Sequence, residues 1–234
     1  MNFAGSVPVR AFASLAPRPA LLGWLLQAYD GVPPTLMSSY HQGQRQMQDA
    51  FDSRRIADRL EQVTYRNALS PDDRELIEAA DMFFLATADA EGRPDCSYKG
   101  GDAGFVRVLS ETEIAWADYD GNGQFRSLGN IVVQPAMALL FIDWQAPSRL
   151  RLHGSARVVQ DDPMLSSFPG GRSLVRVTVE RVFPNCPRYV HRMARQEVSP
   201  YVPREGCEAP EPGWKRDPRF SGALPKSPRS RGGP

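Results

Sequence analysis

The fold of this chain is decided by the stretch from Phe83 to Trp144, FFLATADAEGRPDCSYKGGDAGFVRVLSETEIAWADYDGNGQFRSLGNIVVQPAMALLFIDW. It has the pattern of a run of short strands, interrupted once by a Gly-rich turn into a short helix that carries Arg126, Ser127 and Asn130. Small β-barrels can hold a phosphorylated cofactor in this way, because strand backbone contacts a ring while cationic and hydroxyl groups bind the phosphate. The stretch therefore predicts a barrel with a phosphate-binding turn.

Segments typical of strands continue beyond this stretch, and the last of them, Leu174 to Phe183 (LVRVTVERVF), alternates cleanly. Taken as six or so antiparallel strands with short connections, they predict a mainly β fold with flanking helices. We expect a six-stranded antiparallel split β-barrel over residues 83–183, since closure removes the sheet edges. A β-sandwich is the main alternative, which pattern alone leaves open. The predicted strands are 83–88, 94–99, 105–109, 113–117, 136–143, 150–159 and 174–183.

Residues 37–82 predict a helical segment that precedes the barrel. Between Gln42 and Tyr65 the apolar residues have helical spacing, and their phase changes near Asp52 and Ser53, which can cap a second helix. Ser70-Pro71-Asp72-Asp73 is a stronger signal, with an N-cap Ser, Pro at the first position and an acidic third position. It predicts a third helix that runs to about residue 81. We expect these helices to pack on the outside of the barrel, with Leu76 and Ile77 buried.

Composition narrows the class of protein. The 234 residues suit one domain with extensions, and 41% hydrophobic residues are typical of a folded protein. The 28 Lys and Arg balance 27 Asp and Glu, so overall charge predicts neither nucleic acid nor an anionic membrane as a partner. Cys96, Cys186 and Cys207 are widely spaced and form no CxxC, which argues against a disulfide framework or a zinc site. We therefore expect a cytoplasmic protein without a bound metal.

The two ends of the chain differ from the predicted barrel. The apolar segment from Ala20 to Leu26 is shorter than the roughly 20 residues of a membrane span, and no A-x-A cleavage pattern follows it. We interpret residues 1–36 as a disordered leader or an over-called start. The segment Met37-Ser-Ser-Tyr-His41 is similar to the segment near which members of a known protein family begin, and this resemblance implies that translation begins at Met37. Residues 184–234 predict a C-terminal extension and a Pro-rich tail, since eight of the chain's 21 prolines follow residue 199.

Arg126 and Ser127 are candidates for binding a phosphate. They follow the Gly-rich turn that ends at Gly123, where backbone N–H groups and the helix dipole favour an anion. Arg107 is a lone cation in the apolar segment 105–109, a position that calls for an anionic partner. The structural alternatives stay open, since Arg126 could be a surface charge. Two further candidates have alternatives as well: Lys99 could lie at a solvent-facing strand end, and Asn130 could cap or bridge backbone groups.

Other conspicuous residues fit structural roles better. Trp116 and Trp144 are more typical of core or interface anchors than of residues that stack on a cofactor. His153 stands in an alternating strand, which favours a structural histidine. His191 is the better functional candidate, although no Asp, Ser or Cys pattern accompanies it. We expect Cys96 to be a small buried apolar residue.

The Phe83 to Trp144 stretch, with the partial motif Arg107-Val-Leu109, resembles the pyridoxamine 5'-phosphate oxidase-like FMN-binding split barrels. The resemblance covers about residues 38–190. It implies FMN as the cofactor, held at a homodimer interface with residues from both subunits, and it implies that strand backbone contacts the flavin ring. Tyr98 and the residues from Trp116 to Tyr119 then join the candidates. The predicted cofactor-binding set is Lys99, Arg107, Val108, Asp118, Tyr119, Gly123, Arg126, Ser127 and Asn130.

The departures from this family concern the substrate. Authentic pyridoxamine phosphate oxidases carry an Arg-x-His segment and end in Arg-Leu-x-Pro, whereas this chain has Arg188-Tyr-Val-His191 and ends in Arg231-Gly-Gly-Pro234. We therefore rank vitamin B6 oxidation below an FMN-dependent oxidoreductase that acts on another small molecule, with the hydride or electron chemistry supplied by the flavin. The alternatives are a deazaflavin-dependent reductase and a non-enzymatic flavin- or heme-binding stress module.

Overall fold

The computed structural model describes residues 39–207 and 209–225. The predicted leader (1–36), the proposed start at Met37 and the end of the tail (226–234) lie outside the described residues. Every helix in the described ranges is too short or too polar to cross a bilayer. The helices are α1 (Gln42–Ala50), α2 (Arg54–Thr64), α3 (Pro71–Ala79) and α4 (Arg126–Val133), and the strands are β1 (Met82–Ala88), β2 (Pro94–Gly100), β3 (Val106–Ser110), β4 (Glu113–Asp118), β5 (Ala136–Asp143), β6 (Ser148–Val159) and β7 (Ser173–Asn185).

Within the described ranges, seven strands form one antiparallel sheet in the order β2-β1-β5-β6-β7-β4-β3. The predicted mainly β fold with flanking helices is confirmed. The six-stranded closed or nearly closed barrel is wrong in count and in closure. Each of the seven predicted segments forms its own strand, and the hairpins β1–β2 and β3–β4 lie at opposite edges. Each hairpin joins the sheet through its inner strand, so β2 and β3 remain edge strands.

The sheet nevertheless curls around one apolar core. Neighbouring strands lie about 4.8 Å apart, so β1 and β4, four positions apart in the strand order, would be separated by about 19 Å in a flat sheet. Yet the ring centroids of Phe83 on β1 and Trp116 on β4 are 5.1 Å apart. Phe83 also lies 5.4 Å from Phe141 of the neighbouring strand β5. This curvature is the barrel-like part of the predicted fold.

Helix α3 forms as its sequence predicts. Ser70 and Asp73 make a reciprocal capping box, and Pro71 occupies the first helical position. Ile77 is buried and Leu76 packs against the same core cluster, as expected.

Asp73 also has a tertiary partner that the capping motif does not predict. Its carboxylate accepts hydrogen bonds from Arg66 Nη1 and Nη2 at 2.6 and 3.1 Å. The backbone of Arg66 pairs with Val182 on β7, so the capping box is joined to the sheet.

Helices α1 and α2 break between residues 51 and 53, where the predicted phase changes. Ser53 precedes α2, but its side chain caps no N–H group there. Its hydroxyl instead donates to the carbonyl of Gln48 at 3.4 Å. Neither helix contains a buried residue, so the expected packing on the barrel is restricted to α3 among these three. The exposed apolar residues at helical spacing are Met47, Phe51, Ile56, Leu60 and Val63.

The long strands β6 and β7 are in close contact at Gly154. Their register shifts between His153 and Gly154, which marks a bulge. A Cβ added at Gly154 would lie 2.2 Å from the carbonyl oxygen of Thr178. Only glycine therefore fits here without moving the backbone of the partner strand.

Candidate functional site

A cavity of about 410 Å³ opens where β2, β4 and α4 meet. Its volume falls in the range of roughly 300–1,000 Å³ that is usual for small-molecule sites. The end of β2 contributes Tyr98 and Lys99, and the end of β4 contributes Trp116 and Asp118. The turn into α4 and the first residues of that helix form the remaining wall, which places backbone N–H groups beside cationic side chains.

The turn between β4 and α4 has an unusual backbone. Gly123 has φ +76°, in the left-handed region that glycine adopts without strain. Phe125 also has a positive φ of 50°, which is uncommon for a bulky residue. No side chain caps α4, and its first intrahelical backbone bond runs from Gly129 N–H to the carbonyl of Phe125. The earlier N–H groups of α4 are therefore available to an anion at this wall.

Two predicted phosphate ligands, Arg126 and Ser127, begin α4 and line the cavity. Arg126 is exposed, and its Nε donates to Gln124 Oε1 at 3.0 Å. Ser127 is only 6% exposed, and its hydroxyl makes no hydrogen bond within the described part of the chain. Lys99 reaches the cavity from the end of β2. The structure thus brings together four predicted residues of the turn and its surroundings, Lys99, Gly123, Arg126 and Ser127.

Two predicted residues at the end of β4, Asp118 and Tyr119, also line the cavity. Burial raises the pKa of the Asp118 carboxyl, while the charges of Lys99 and Arg172 oppose that shift. Burial likewise raises the pKa of Tyr119, and the Arg107 charge opposes it. Asp118 is therefore a half-buried carboxyl near two cations, and the cavity lining as a whole has three carboxylates (Asp95, Asp118, Asp120) and three cations (Lys99, Arg126, Arg172).

Three predicted residues lie outside the lining of this cavity. Arg107 donates from Nη1 and Nη2 to the hydroxyl and carbonyl of Ser167, at 2.6 and 2.7 Å, and its guanidinium lies 4.1 Å from the ring centroid of Phe168. Val108 is buried in the core. Asn130 donates from Nδ2 to Thr87 Oγ1 at 3.0 Å. The structure therefore does not unite Arg107 with Arg126 in one site.

The other conspicuous residues mostly have structural positions. Trp116 is buried against Phe83, as its core interpretation predicts, although it also contributes to the cavity wall. His153 packs edge-on against Phe183, and burial lowers its pKa. Cys96 is exposed on the edge strand β2, so the expectation that it is buried is wrong. The burial of a strand side chain depends on what packs against its face of the sheet, which sequence alternation cannot reveal.

Sequence reasoning missed Arg172, which lines the cavity from the loop before β7. Its backbone N–H donates to the carbonyl of Asp118 at 2.8 Å, and its Nη1 donates to Asp120 Oδ1 at 2.9 Å. Its guanidinium lies 5.4 Å from the ring centroid of Phe125. The pairing of β4 with β7 creates this proximity across more than 50 residues. No local motif signals it, although Arg172 does follow a Gly-Gly pair.

Three solved structures illustrate the similarity of this chain to known proteins. A putative pyridoxamine 5'-phosphate oxidase from Lactobacillus delbrueckii is 24% identical, covering 50% of this chain and 95% of that one, with a TM-score of 0.42. HutZ, a heme storage protein from Vibrio cholerae, is 22% identical over 50% and 94%, with a TM-score of 0.37. An FMN-binding protein from Syntrophomonas wolfei is 11% identical over 61% and 96%, with a TM-score of 0.37. At these values the likenesses carry no information on activity.

The family comparison is more decisive. No curated protein matches the chain. The family model described as pyridoxamine 5'-phosphate oxidase matches residues 69–186, slightly more than half of the 234 residues. The matched range contains α3, the whole sheet and the turn into α4 that forms the cavity wall. The chain therefore belongs to the pyridoxamine 5'-phosphate oxidase-like family.

Proposed function

We propose that this protein binds FMN in the cavity between β2, β4 and α4, and that it is a flavin-dependent oxidoreductase. The proposal is carried by one observation: Lys99, Arg126 and Ser127 line the same cavity, and α4 begins there without a side-chain cap. A phosphate monoester is a near-dianion, which guanidinium, ammonium, hydroxyl and backbone N–H groups bind well. Family membership supports the same cofactor.

The remainder of the cavity suits the rest of FMN. Strand backbone at the ends of β2 and β4 presents polar groups for a ring, and Tyr98 and Phe125 expose their aromatic side chains. Most of the cavity lining is polar, with these aromatic side chains beside it, and cofactor sites combine such aromatic surface with placed polar groups. The residues present therefore fit an amphipathic molecule with an anionic end. Arg172 and Asp120 would lie at the rim of such a site.

When bound, a flavin supplies hydride or electron transfer, and the protein binds it, orients it and limits the access of water. Asp118 is the acidic group best placed to influence a bound ring, since it is half-buried in the cavity wall. We assign no catalytic acid or base to this chain. The physiological reductant and substrate would therefore be selected by the part of the cavity left open beside the cofactor.

Replacing Arg126 tests the phosphate site. We expect Arg126→Ala to raise the Kd for FMN about tenfold or more, since a charge-assisted hydrogen bond contributes roughly 1.5–3 kcal/mol. The Kd for riboflavin, which lacks the phosphate, should not change. Titration followed by flavin fluorescence measures both constants. Arg59→Ala removes an equivalent exposed charge from α2 and is the matched control.

The outcomes of this test distinguish the candidate functions. A colourless protein that binds no added FMN would overturn the proposal. Equal losses for FMN and riboflavin would assign Arg126 a structural role. The mass of the chromophore that is released from native protein separates FMN from deazaflavin and from heme. Turnover with a nicotinamide reductant and an acceptor would support an enzyme, whereas a bound flavin that never turns over would support the non-enzymatic binding module.

We also propose a homodimer with the cofactor close to the interface. Helix α4 carries Arg126 at its start and the exposed Val132 and Val133 at its end. Eight helical residues span about 12 Å, so an apolar contact at that end would lie close to the cavity. Sedimentation should give twice the 26.0 kDa mass of one chain, and Val132→Glu with Val133→Glu should shift it toward the monomer. A monomeric native protein would exclude this assembly.

A cytoplasmic location completes the proposal. All three cysteines are free and exposed, which fits a reducing compartment. Trapping thiols with a maleimide in freshly lysed cells should label Cys96, Cys186 and Cys207 to the same extent as in reduced purified protein. Protection of any of them before reduction would contradict this location.

A further inference from the structure

The C-terminal segment, residues 186–207 and 209–225, contacts the end of the sheet where the cavity opens. Three ion pairs join it to loops at that end. In each pair the cation belongs to the C-terminal segment and the carboxylate belongs to the body of the protein. The pairs are Arg195–Asp81, Arg204–Asp102 and Lys215–Asp120.

Antiparallel pairing brings these three carboxylates to one end of the sheet. Met82 pairs with Gly100, so the start of β1 lies beside the end of β2. Val106 pairs with Trp116, so the start of β3 lies near the end of β4. The cavity is lined from both of these places and by Asp120 itself. The C-terminal segment therefore contacts the rim of the cavity at Asp120, while Asp81 and Asp102 lie at the same end of the sheet outside the cavity lining.

The C-terminal segment is held more weakly than the sheet. None of its described residues is buried. Among the described residues, a single backbone–backbone hydrogen bond joins it to the body, from Met193 N–H to the carbonyl of Trp144 at 3.1 Å. Its other backbone bonds are local turns such as Val202 N–H to Ser199. Segments with few buried contacts open with little free energy, independently of the core.

The ion pairs themselves make this attachment sensitive to salt. Arg204 donates to both oxygens of Asp102, from Nε at 2.6 Å and from Nη2 at 2.8 Å, yet both side chains are more than 40% exposed. Lys215 Nζ donates to Asp120 Oδ2 at 2.7 Å. The Lys215 side chain is 24% exposed and that of Asp120 is 58% exposed. Exposed and half-exposed pairs of this kind stabilise a contact only slightly, and dissolved ions screen them. A rise in ionic strength therefore loosens the C-terminal segment but not the sheet.

We propose that the C-terminal segment is a salt-sensitive cover for the cavity, closed by the Lys215–Asp120 pair. Asp120 is the point at which the cover meets the site, because its second oxygen accepts a hydrogen bond from Arg172, a residue of the cavity wall. Release of Lys215 opens the rim, and its return restricts exchange between the cavity and solvent. This proposal rests on the proposed function only in taking the cavity as the ligand site, and it holds for any ligand that binds there.

Hydrogen exchange of the full chain tests the cover without any ligand. In Arg204→Gln with Lys215→Gln, we expect peptides covering residues 100–105, 118–126 and 193–216 to exchange about threefold faster or more, in line with the loss of two exposed pairs. The wild type should change in the same direction between about 20 mM and about 0.5 M NaCl. Arg216→Gln with Arg219→Gln removes the same charge from pairs internal to the C-terminal segment and is the matched control.

Unchanged exchange of the rim peptides in both the double variant and high salt would overturn the proposal, as would an equal effect in the control variant. Stopped-flow binding of FMN then reports the consequence: both association and dissociation should accelerate several-fold in the double variant, with little change in Kd. If FMN binds neither protein, the proposed function fails while the exchange result still decides on the cover. Accelerated exchange with unchanged FMN rates would show a mobile segment that does not cover the site, and would also overturn the proposal.

Discussion

In the sheet, seven strands share backbone hydrogen bonds and bury a common apolar core, whereas the C-terminal segment contacts the body mainly through side-chain ion pairs. Both regions contain an Arg–Asp ion pair, but the two pairs differ in their exposure to solvent. The Asp73 carboxylate beside the sheet is 1% exposed, while the Asp102 carboxylate of the C-terminal attachment is 47% exposed. Burial rather than the number of ion pairs therefore decides which contacts stabilise the fold.

The largest expected effect is the loss of the Asp73 carboxylate. Asp73→Ala removes the acceptor of two Arg66 hydrogen bonds and of the Ser70 N–H, and leaves their donors unpaired. We expect the free energy of unfolding to fall by about 3 kcal/mol. Urea denaturation measures it, with the exposed neighbour Asp72→Ala as control. A loss below about 1 kcal/mol, as for surface pairs, would remove the distinction between buried and exposed pairs.

Next in size is the effect of a methyl group between β6 and β7. Gly154→Ala places a Cβ 2.2 Å from the carbonyl oxygen of Thr178, so the strands must separate. We expect a loss of about 2 kcal/mol in the free energy of unfolding. Gly213→Ala is the matched change in the C-terminal segment, where the added Cβ meets nothing within 4 Å, and it should be nearly neutral. Similar melting temperatures for the two variants would contradict the comparison.

A third effect depends on pH. The Arg176 guanidinium holds the pKa of Asp162 below its usual range, helped by the N–H of Met164. Since the folded-state pKa is the lower one, the stabilisation is complete above the unfolded-state value of about 4 and is lost as pH falls through the folded-state value. Asp162→Asn should therefore lose less stability than the wild type between pH about 5 and about 3, as measured by urea denaturation. An unaltered slope would exclude this linkage, and Asp72→Asn is the control.

The smallest effect is expected in the C-terminal segment. Arg204→Gln removes a bidentate pair with Asp102, but both partners are exposed. We expect the free energy of unfolding to fall by less than about 1 kcal/mol, with the difference disappearing at high salt. Thermal melts at low and high ionic strength measure it. A loss as large as that of Asp73→Ala at either ionic strength would show that the C-terminal segment is part of the cooperative core.

Much of the fold was predictable because its signals are local. The capping box at Ser70 and Asp73 and the alternation of residues 174–183 each predict an element that the structure contains. The closed six-stranded barrel was wrong because closure was inferred from the general cost of sheet edges, whereas all seven predicted segments form strands of an open sheet. Strand partners depend on contacts between distant segments, and no local pattern contains them.

The candidate site was likewise predictable only where its residues are close in sequence. Gly123, Arg126 and Ser127 are close in sequence, so the local pattern of a turn and a helix start predicted them as one group. Arg107 was grouped with them on its charge and on a partial family motif, and its guanidinium donates to Ser167 in the structure. Arg172 was missed for the opposite reason, since it reaches the cavity only through the pairing of β4 with β7.

By itself the sequence determined the helices and strands of this protein and the Gly-rich turn into α4, because propensity, capping and turn chemistry act over a few residues. The sequence also carries the family resemblance that indicates FMN. The tertiary structure alone decided that the sheet is curled but open, that Arg172 joins the cavity and that the C-terminal segment contacts the cavity rim through the Lys215–Asp120 pair. These features arise from burial and from pairing across 52 to 114 residues, where the energy of a contact depends on its surroundings rather than on the identity of its two residues.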